Sequence, residues 1–211
     1  MQTLTNIFYE QLLKEPSCFI PIVDKSPLAG LKKEHVKCLC SSTIQTSPVF
    51  GHGPIAPKLM FIGFCPSKYD VETGTLFSDI PSQKIHGLIE YLSRSIPLNN
   101  SIYLTSLALC PLELDSEVVN VCSTRLYKEI EYVHPKHIIL LGKEVADVLI
   151  PKAERLKKLL LKADKYYPTY VTRNLREITF KRDEIKEEIK QDLDFIVEQL
   201  KNDEQNAKSS L

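Results

Sequence analysis

Residues 57–88, PKLMFIGFCPSKYDVETGTLFSDIPSQKIHGL, decide the fold. Leu59-Met60-Phe61-Ile62 is a short apolar run, and Gly63 breaks it. Phe64-Cys65-Pro66-Ser67 and a polar stretch follow, and apolar spacing returns at Ile85, Leu88, Ile89 and Leu92. That pattern predicts a strand, a loop at its carboxyl end, and a helix over Ser82–Arg94. In an open α/β sheet such a loop is where ligands sit.

Working outward, the pattern repeats. Ser101–Leu107 (SIYLTSL) is rich in strand formers, and a helix from Asp115 or Ser116 to about Tyr132 follows it. Lys136–Leu141 (KHIILL) is a continuous apolar run of the kind found in buried parallel strands. Gly142 ends that run, and KEVADVLI starts a helix that Pro151 stops. Lys165–Thr172 holds Tyr166, Tyr167 and Tyr170 and reads as an aromatic strand end or turn. Ile185, Ile189, Leu193, Ile196 and Leu200 then stripe a last helix over Arg182–Lys201. Strand and helix in alternation predict one α/β domain: three layers, α/β/α, around a central, mainly parallel, four-stranded sheet.

Upstream, 4–14 and 29–38 carry helical spacing, separated by a connector with Pro16, Pro21 and Pro27. Residues 1–35 are therefore expected as a helical extension of the domain over 36–201, with 202–211 a disordered tail. A chain of 211 residues with 43% hydrophobic side chains can bury a core without disulfide staples. No run reaches the ~18 apolar residues of a membrane span, and the first residues lack a secretory pattern. A cytoplasmic monomer is the expectation. With 27 basic and 27 acidic residues, bulk charge gives no argument for nucleic acid, although a local basic patch would suffice.

Ordered motifs say more. VFGHG (49–53), LMFIGFCPS (59–67), Thr73–Ser78 (TGTLFS), IYLTSLALCP (102–111), Cys122, HPKHIILLGKEVADVL (134–149), YYPTYVTRN (166–174) and Gln191-Asp192-Leu193 follow in unbroken order. In this order the chain resembles the uracil-DNA glycosylase superfamily, nearest its iron–sulfur branch, family 4. The resemblance covers roughly residues 36–200 and implies DNA base excision: hydrolysis of the N-glycosidic bond of a flipped, damaged base in single- or double-stranded DNA.

The resemblance also implies roles. The loop after the first strand, Gly-Glu-Ala-Pro-Gly in the family, reads Gly63-Phe64-Cys65-Pro66-Ser67, so Phe64 and Ser67 stand at catalytic positions and Cys65 beside the base. Phe77 matches the Phe that stacks on uracil. Ser106 stands where an Asn reads the base edge, four residues before Cys110. Tyr167-Pro168 replaces the His-Pro pair that stabilises charge on the leaving base. His52 and the piece Tyr170–Arg173 match DNA-contacting segments, with the Lys152–Lys165 run as a further basic surface. A charge run is equally a solvated helix face, Gly51-His52-Gly53 equally a turn, and Phe77 equally a core aromatic.

The chemistry explains why these replacements matter. Cleavage leaves a base anion, which wants a preorganised donor. An Asn offers a paired donor and acceptor, whereas Ser106 offers one hydroxyl. Phe64 cannot orient water. The expectation is therefore a glycosylase-like protein with altered or lost activity. The alternative is a non-catalytic DNA-binding or protein-interaction module on the same fold.

Four cysteines fall at the family's [4Fe–4S] ligand places: Cys38, Cys40, Cys110 and Cys122. The first pair is C-x-C where the family has C-x-x-C. A zinc site with four thiolate ligands and plain buried thiols are the competing readings.

Overall fold

The computed structural model describes residues 47–79, 84–95, 98, 101–111, 116–150, 169–174 and 184–209. Four strands form one sheet: β1 (Leu59–Gly63), β2 (Ile102–Ser106), β3 (His137–Leu141) and β4 (Thr169–Thr172). Their order is β2-β1-β3-β4 and every pair is parallel. The helices are α1 (Lys68–Thr73), α2 (Lys84–Ser95), α3 (Ser116–Val133), α4 (Lys143–Leu149) and α5 (Glu184–Ser209). No helix among the described residues is long and apolar enough to cross a membrane.

Side chains alternate across a strand, so each strand feeds two cores. Leu59, Phe61, Leu104, Ile139, Leu141 and Tyr170 pack with Ile85, Leu88 and Leu92 of α2 and with Ile189, Leu193 and Ile196 of α5. Met60, Ile62, Tyr103, Ile138 and Leu140 pack with Leu126 and Ile130 of α3 and with Val145 and Leu149 of α4. Both faces of the sheet are covered, which is why β1 and β3 read as apolar runs without alternation. The three-layer architecture expected from the sequence is the one observed.

Three details add to or differ from that expectation. The polar stretch after β1 contains the short helix α1. It is nucleated by a capping box in which Ser67 Oγ accepts from the Asp70 backbone N–H and Asp70 accepts from that of Ser67. The last helix does not stop at Lys201 but continues to Ser209. Its final turns have partners: Glu204 meets Lys58 Nζ at 2.8 Å, just before β1, and Asp203 lies 3.9 Å from His137 Nε2, at the start of β3. The third is an antiparallel strip beside β2. Val49 donates to the Leu109 carbonyl, and His52 and Leu104 exchange backbone hydrogen bonds. The helices expected over 4–14 and 29–38, and the basic segment 152–163, lie outside the described residues.

The connection from β1 leads toward β2, and that from β3 leads the other way, toward β4. Chain direction thus diverges between the carboxyl ends of β1 and β3, where an α/β sheet opens a crevice.

Candidate functional site

Gly63 ends β1 in register with Ser106, the last residue of β2. The two strands stay joined past their ends: Leu107 N–H donates to the Gly63 carbonyl at 2.8 Å, and Ala108 N–H to that of Phe64 at 2.9 Å. Phe64 turns onto the α3/α4 core. Ser67 is the N-cap of α1, its oxygen held by the Asp70 N–H at 3.0 Å.

Asp70 is buried at 2% exposure and gathers the whole loop. One oxygen accepts from Ser67 N at 2.9 Å, and the other from Ser78 N at 2.7 Å and Ser78 Oγ at 2.8 Å. With both oxygens engaged, Asp70 builds the loop rather than facing a substrate. Phe77, next to Ser78, has φ +58°. That backbone is strained for an aromatic residue. Its ring lies on Gly63: a Cβ there would stand 3.1 and 3.2 Å from two ring carbons. The absence of a side chain at 63 lets the ring approach the strand end.

Behind β2 lies a buried ionic network. Ser106 Oγ donates to the Ala108 carbonyl at 2.6 Å, so its proton is engaged locally. Arg125 Nη2 donates to the carbonyls of Ser106 and Leu107 at 2.6 and 2.9 Å. Arg125 Nη1 pairs with Glu129, both side chains nearly inaccessible. Glu129 also accepts from Tyr103 Oη at 2.8 Å and from Thr105 Oγ1. Burial first, then the Glu129 charge, pushes the Tyr103 phenol far above its ordinary range. Gly51 belongs to this packing, since a Cβ on it would come within 2.5 Å of Glu129 Oε1.

At the ends of β3 and β4, Gly142 has φ +108° and donates to the Thr172 carbonyl at 2.9 Å. Glu144 and Asn174 close over it, and Glu144 Oε2 is buried without a hydrogen-bond partner among the described residues. Thr172 Oγ1 donates to Asp192 at 2.8 Å. Burial raises the Asp192 carboxyl to about 6, against the opposing pull of the Thr172 hydrogen bond.

A family model, the uracil DNA glycosylase superfamily, matches residues 50–196. The chain belongs to the uracil DNA glycosylase superfamily. A search of curated proteins finds no match.

Within this superfamily frame, the structure brings some expected residues together and separates others. Gly63, Phe64, Ser67, Phe77 and Ser106 lie at or just past the carboxyl ends of β1 and β2, Phe64 toward the α3/α4 core and Phe77 toward the α2/α5 core, and half-buried Cys65 lies in the same loop. Tyr170 does not join them. It is 1% exposed, paired with Ile139 in β4 and stacked on His137 at 6.0 Å, so it cannot serve as an exposed wedge toward DNA. Of the readings strand end or turn, the structure takes the strand, and the piece matched to a DNA-contacting segment is largely part of β4, which extends through Thr172. Arg173 does sit at the strand's carboxyl end, where it binds Glu188 at 2.7 Å. His52 is exposed on the strip beside β2, its imidazole pKa lowered by partial desolvation and then by His86. Tyr167, Cys38 and Cys40 lie outside the described residues. Cys110 and Cys122 are buried, the first after β2 and the second in α3.

Sequence reading passes over Arg125 and Glu129. Their i,i+4 spacing within α3 is visible in the sequence, but spacing alone does not say that the pair points inward. It passes over Glu144 and Asn174 too, because they meet only through the pairing of β3 with β4.

Proposed function

We propose that this protein acts in DNA base excision, taking an extruded base onto Phe77 and hydrolysing its N-glycosidic bond. One observation carries the reading. An aromatic ring is held in a strained backbone against the glycine that ends β1, one of the two strands between whose carboxyl ends chain direction diverges. Strain of this kind persists where the surroundings enforce it, and it clusters at ligand sites. In the reaction, water oxygen bonds to C1′ of the deoxyribose as the C1′–N bond breaks. The base departs with that bond's electron pair, and the water proton passes to solvent. Tyr167 is the residue assigned to the leaving base, through its phenol hydroxyl. Ser106 reads the base edge as an acceptor only, its own proton being held by Ala108. The base preference therefore departs from that of an Asn-bearing uracil reader.

A second reading, a DNA-binding module that no longer cuts, draws support from the same hydrogen bonds. The Ser67 oxygen accepts from Asp70 N–H, and the Ser106 hydroxyl donates to Ala108 O. The test is to incubate the purified protein with oligonucleotides, single- and double-stranded, carrying uracil, hypoxanthine or xanthine. Abasic sites are scored as alkali-labile breaks, and binding is read by fluorescence anisotropy. Excision of at least one deaminated base, with uracil the poorer substrate, is expected. Binding without product on any of them would leave the non-cutting module, and no binding at all would remove both readings.

We further propose that Cys38, Cys40, Cys110 and Cys122 hold a [4Fe–4S] cluster. Cys110 and Cys122 supply buried sulfur donors, 2% and 6% exposed. The Val49–Leu109 hydrogen bond leads the chain that follows Cys40 to the residue before Cys110. A cluster here would tie the amino-terminal segment to the β2–α3 connection. Anaerobically purified protein is expected to carry about four iron atoms per chain and a broad visible absorbance, both lost in Cys110→Ser. One zinc per chain in place of iron would assign the site to zinc, and neither metal would leave buried thiols.

A further inference from the structure

The loop that carries Phe77 also carries a second aromatic residue, turned the other way. Tyr69, on α1, is 51% exposed. Its backbone is held from both sides. The capping box fixes the start of α1, and Gly74, with φ +68°, caps its end. Thr73 Oγ1 binds the Tyr69 carbonyl at 2.9 Å and Ser78 Oγ at 2.8 Å. Thr75 N–H donates to the Asp70 carbonyl. A large apolar ring thus stands in water on a braced backbone.

Its place in the fold is distinctive. The exposed large hydrophobic residues among those described are Ile55, Tyr69, Tyr132 and Phe195. Ile55 and Tyr132 lie at the amino end of the sheet, where Ala56 N–H donates to the Val133 carbonyl. Phe195 is on α5. Tyr69 alone of these follows a strand's carboxyl end, at the crevice.

Two exposed lysines belong to the segments that follow β1 and β3. Lys68 opens α1 after β1, and Lys143 opens α4 after β3. Both are exposed and neither forms an ion pair among the described residues. They leave adjacent strands, which run about 4.8 Å apart. Arg173, one strand further along, is by contrast held by Glu188.

An exposed aromatic face with lysines at the same end of the sheet suits single-stranded nucleic acid, with bases stacking and phosphates pairing. A braced Tyr loses little conformational freedom on stacking. Resting on the assignment of Phe77 as the base platform, we propose that Tyr69 stacks on a neighbouring nucleobase of the same DNA strand. Lys68 and Lys143 contact its phosphates. The loop then holds two bases, one inside the crevice and one on its rim.

The test is fluorescence anisotropy of an undamaged single-stranded oligothymidine over a range of salt concentrations. Tyr69→Ala is expected to weaken binding roughly tenfold, and Tyr69→Phe to stay near the parent, because the face and not the hydroxyl carries the contact. Lys68→Ala with Lys143→Ala should flatten the slope of log K against log salt by about 1.4. Tyr69 is exposed, so its variants should melt like the parent, which separates lost contact from lost fold. Parent-like binding by Tyr69→Ala, while Phe77→Ala weakens capture of a damaged base, overturns the rim assignment and leaves the base platform standing. Absence of DNA binding by the parent overturns both.

Discussion

Arg125→Met should destabilise the protein by about 3–5 kcal/mol, the effect of stranding a buried charge. Glu129 would keep Tyr103 and Thr105 as donors but lose its guanidinium partner, at 3% exposure. The carbonyls of Ser106 and Leu107 would lose their guanidinium donor in the same step. Urea denaturation measures it. Adding Glu129→Gln should restore part of the loss, since a neutral amide still accepts from Tyr103 and Thr105 and leaves no charge behind. A single-variant loss under about 1 kcal/mol would mean that the network is hydrated rather than dry. Because Arg125 grips the end of β2, the damage should also reach the crevice, loosening the Gly63–Leu107 and Phe64–Ala108 hydrogen bonds.

The second large effect is at Phe77. Removing the ring should weaken capture of a damaged base by roughly tenfold to a hundredfold, the scale of one lost base–aromatic stack. Phe77→Ala and Phe77→Gly should lose binding equally but differ in stability. Both give up the ring's packing against the α2/α5 core. Only glycine also relieves the φ of +58°. It should therefore be the more stable variant, by about 1 kcal/mol. Anisotropy with a damaged oligonucleotide reads the first quantity and urea denaturation the second. Equal stability of the two variants would show that the backbone there is not strained. Undiminished binding would show that the ring is core alone.

The layered fold is legible because its signals are local. β1 and β3 are short, wholly buried and apolar, and Gly142 marks the step into α4. What the sequence hides depends on distant partners. The capping box of α1 uses Asp at the third position in place of the usual Glu or Gln, so its stretch passes for plain loop. Tyr170 reads as a DNA-facing tip because the strand that buries it is only Thr169–Thr172 and directly follows Pro168. α5 outlasts its apolar stripe because Asp203 and Glu204 meet His137 and Lys58 across the fold. At the site, family motifs place Ser67 and Ser106. They do not tell that one hydroxyl caps a helix and the other closes a tight turn.

The strip from Val49 to His52 has a consequence for the molecule in a crowded solution. β2 is an outer strand, and an outer strand invites edge-to-edge addition by other chains. The strip occupies that position at Leu104 and Leu109, and it runs antiparallel to a sheet that is otherwise parallel. Gly53 makes so close a fit possible, since a Cβ there would collide with the Ile102 carbonyl oxygen. A side chain at residue 53 would therefore do more than strain a turn. It would lift the strip, bare the outer strand, and turn a covered edge into a template for aggregation.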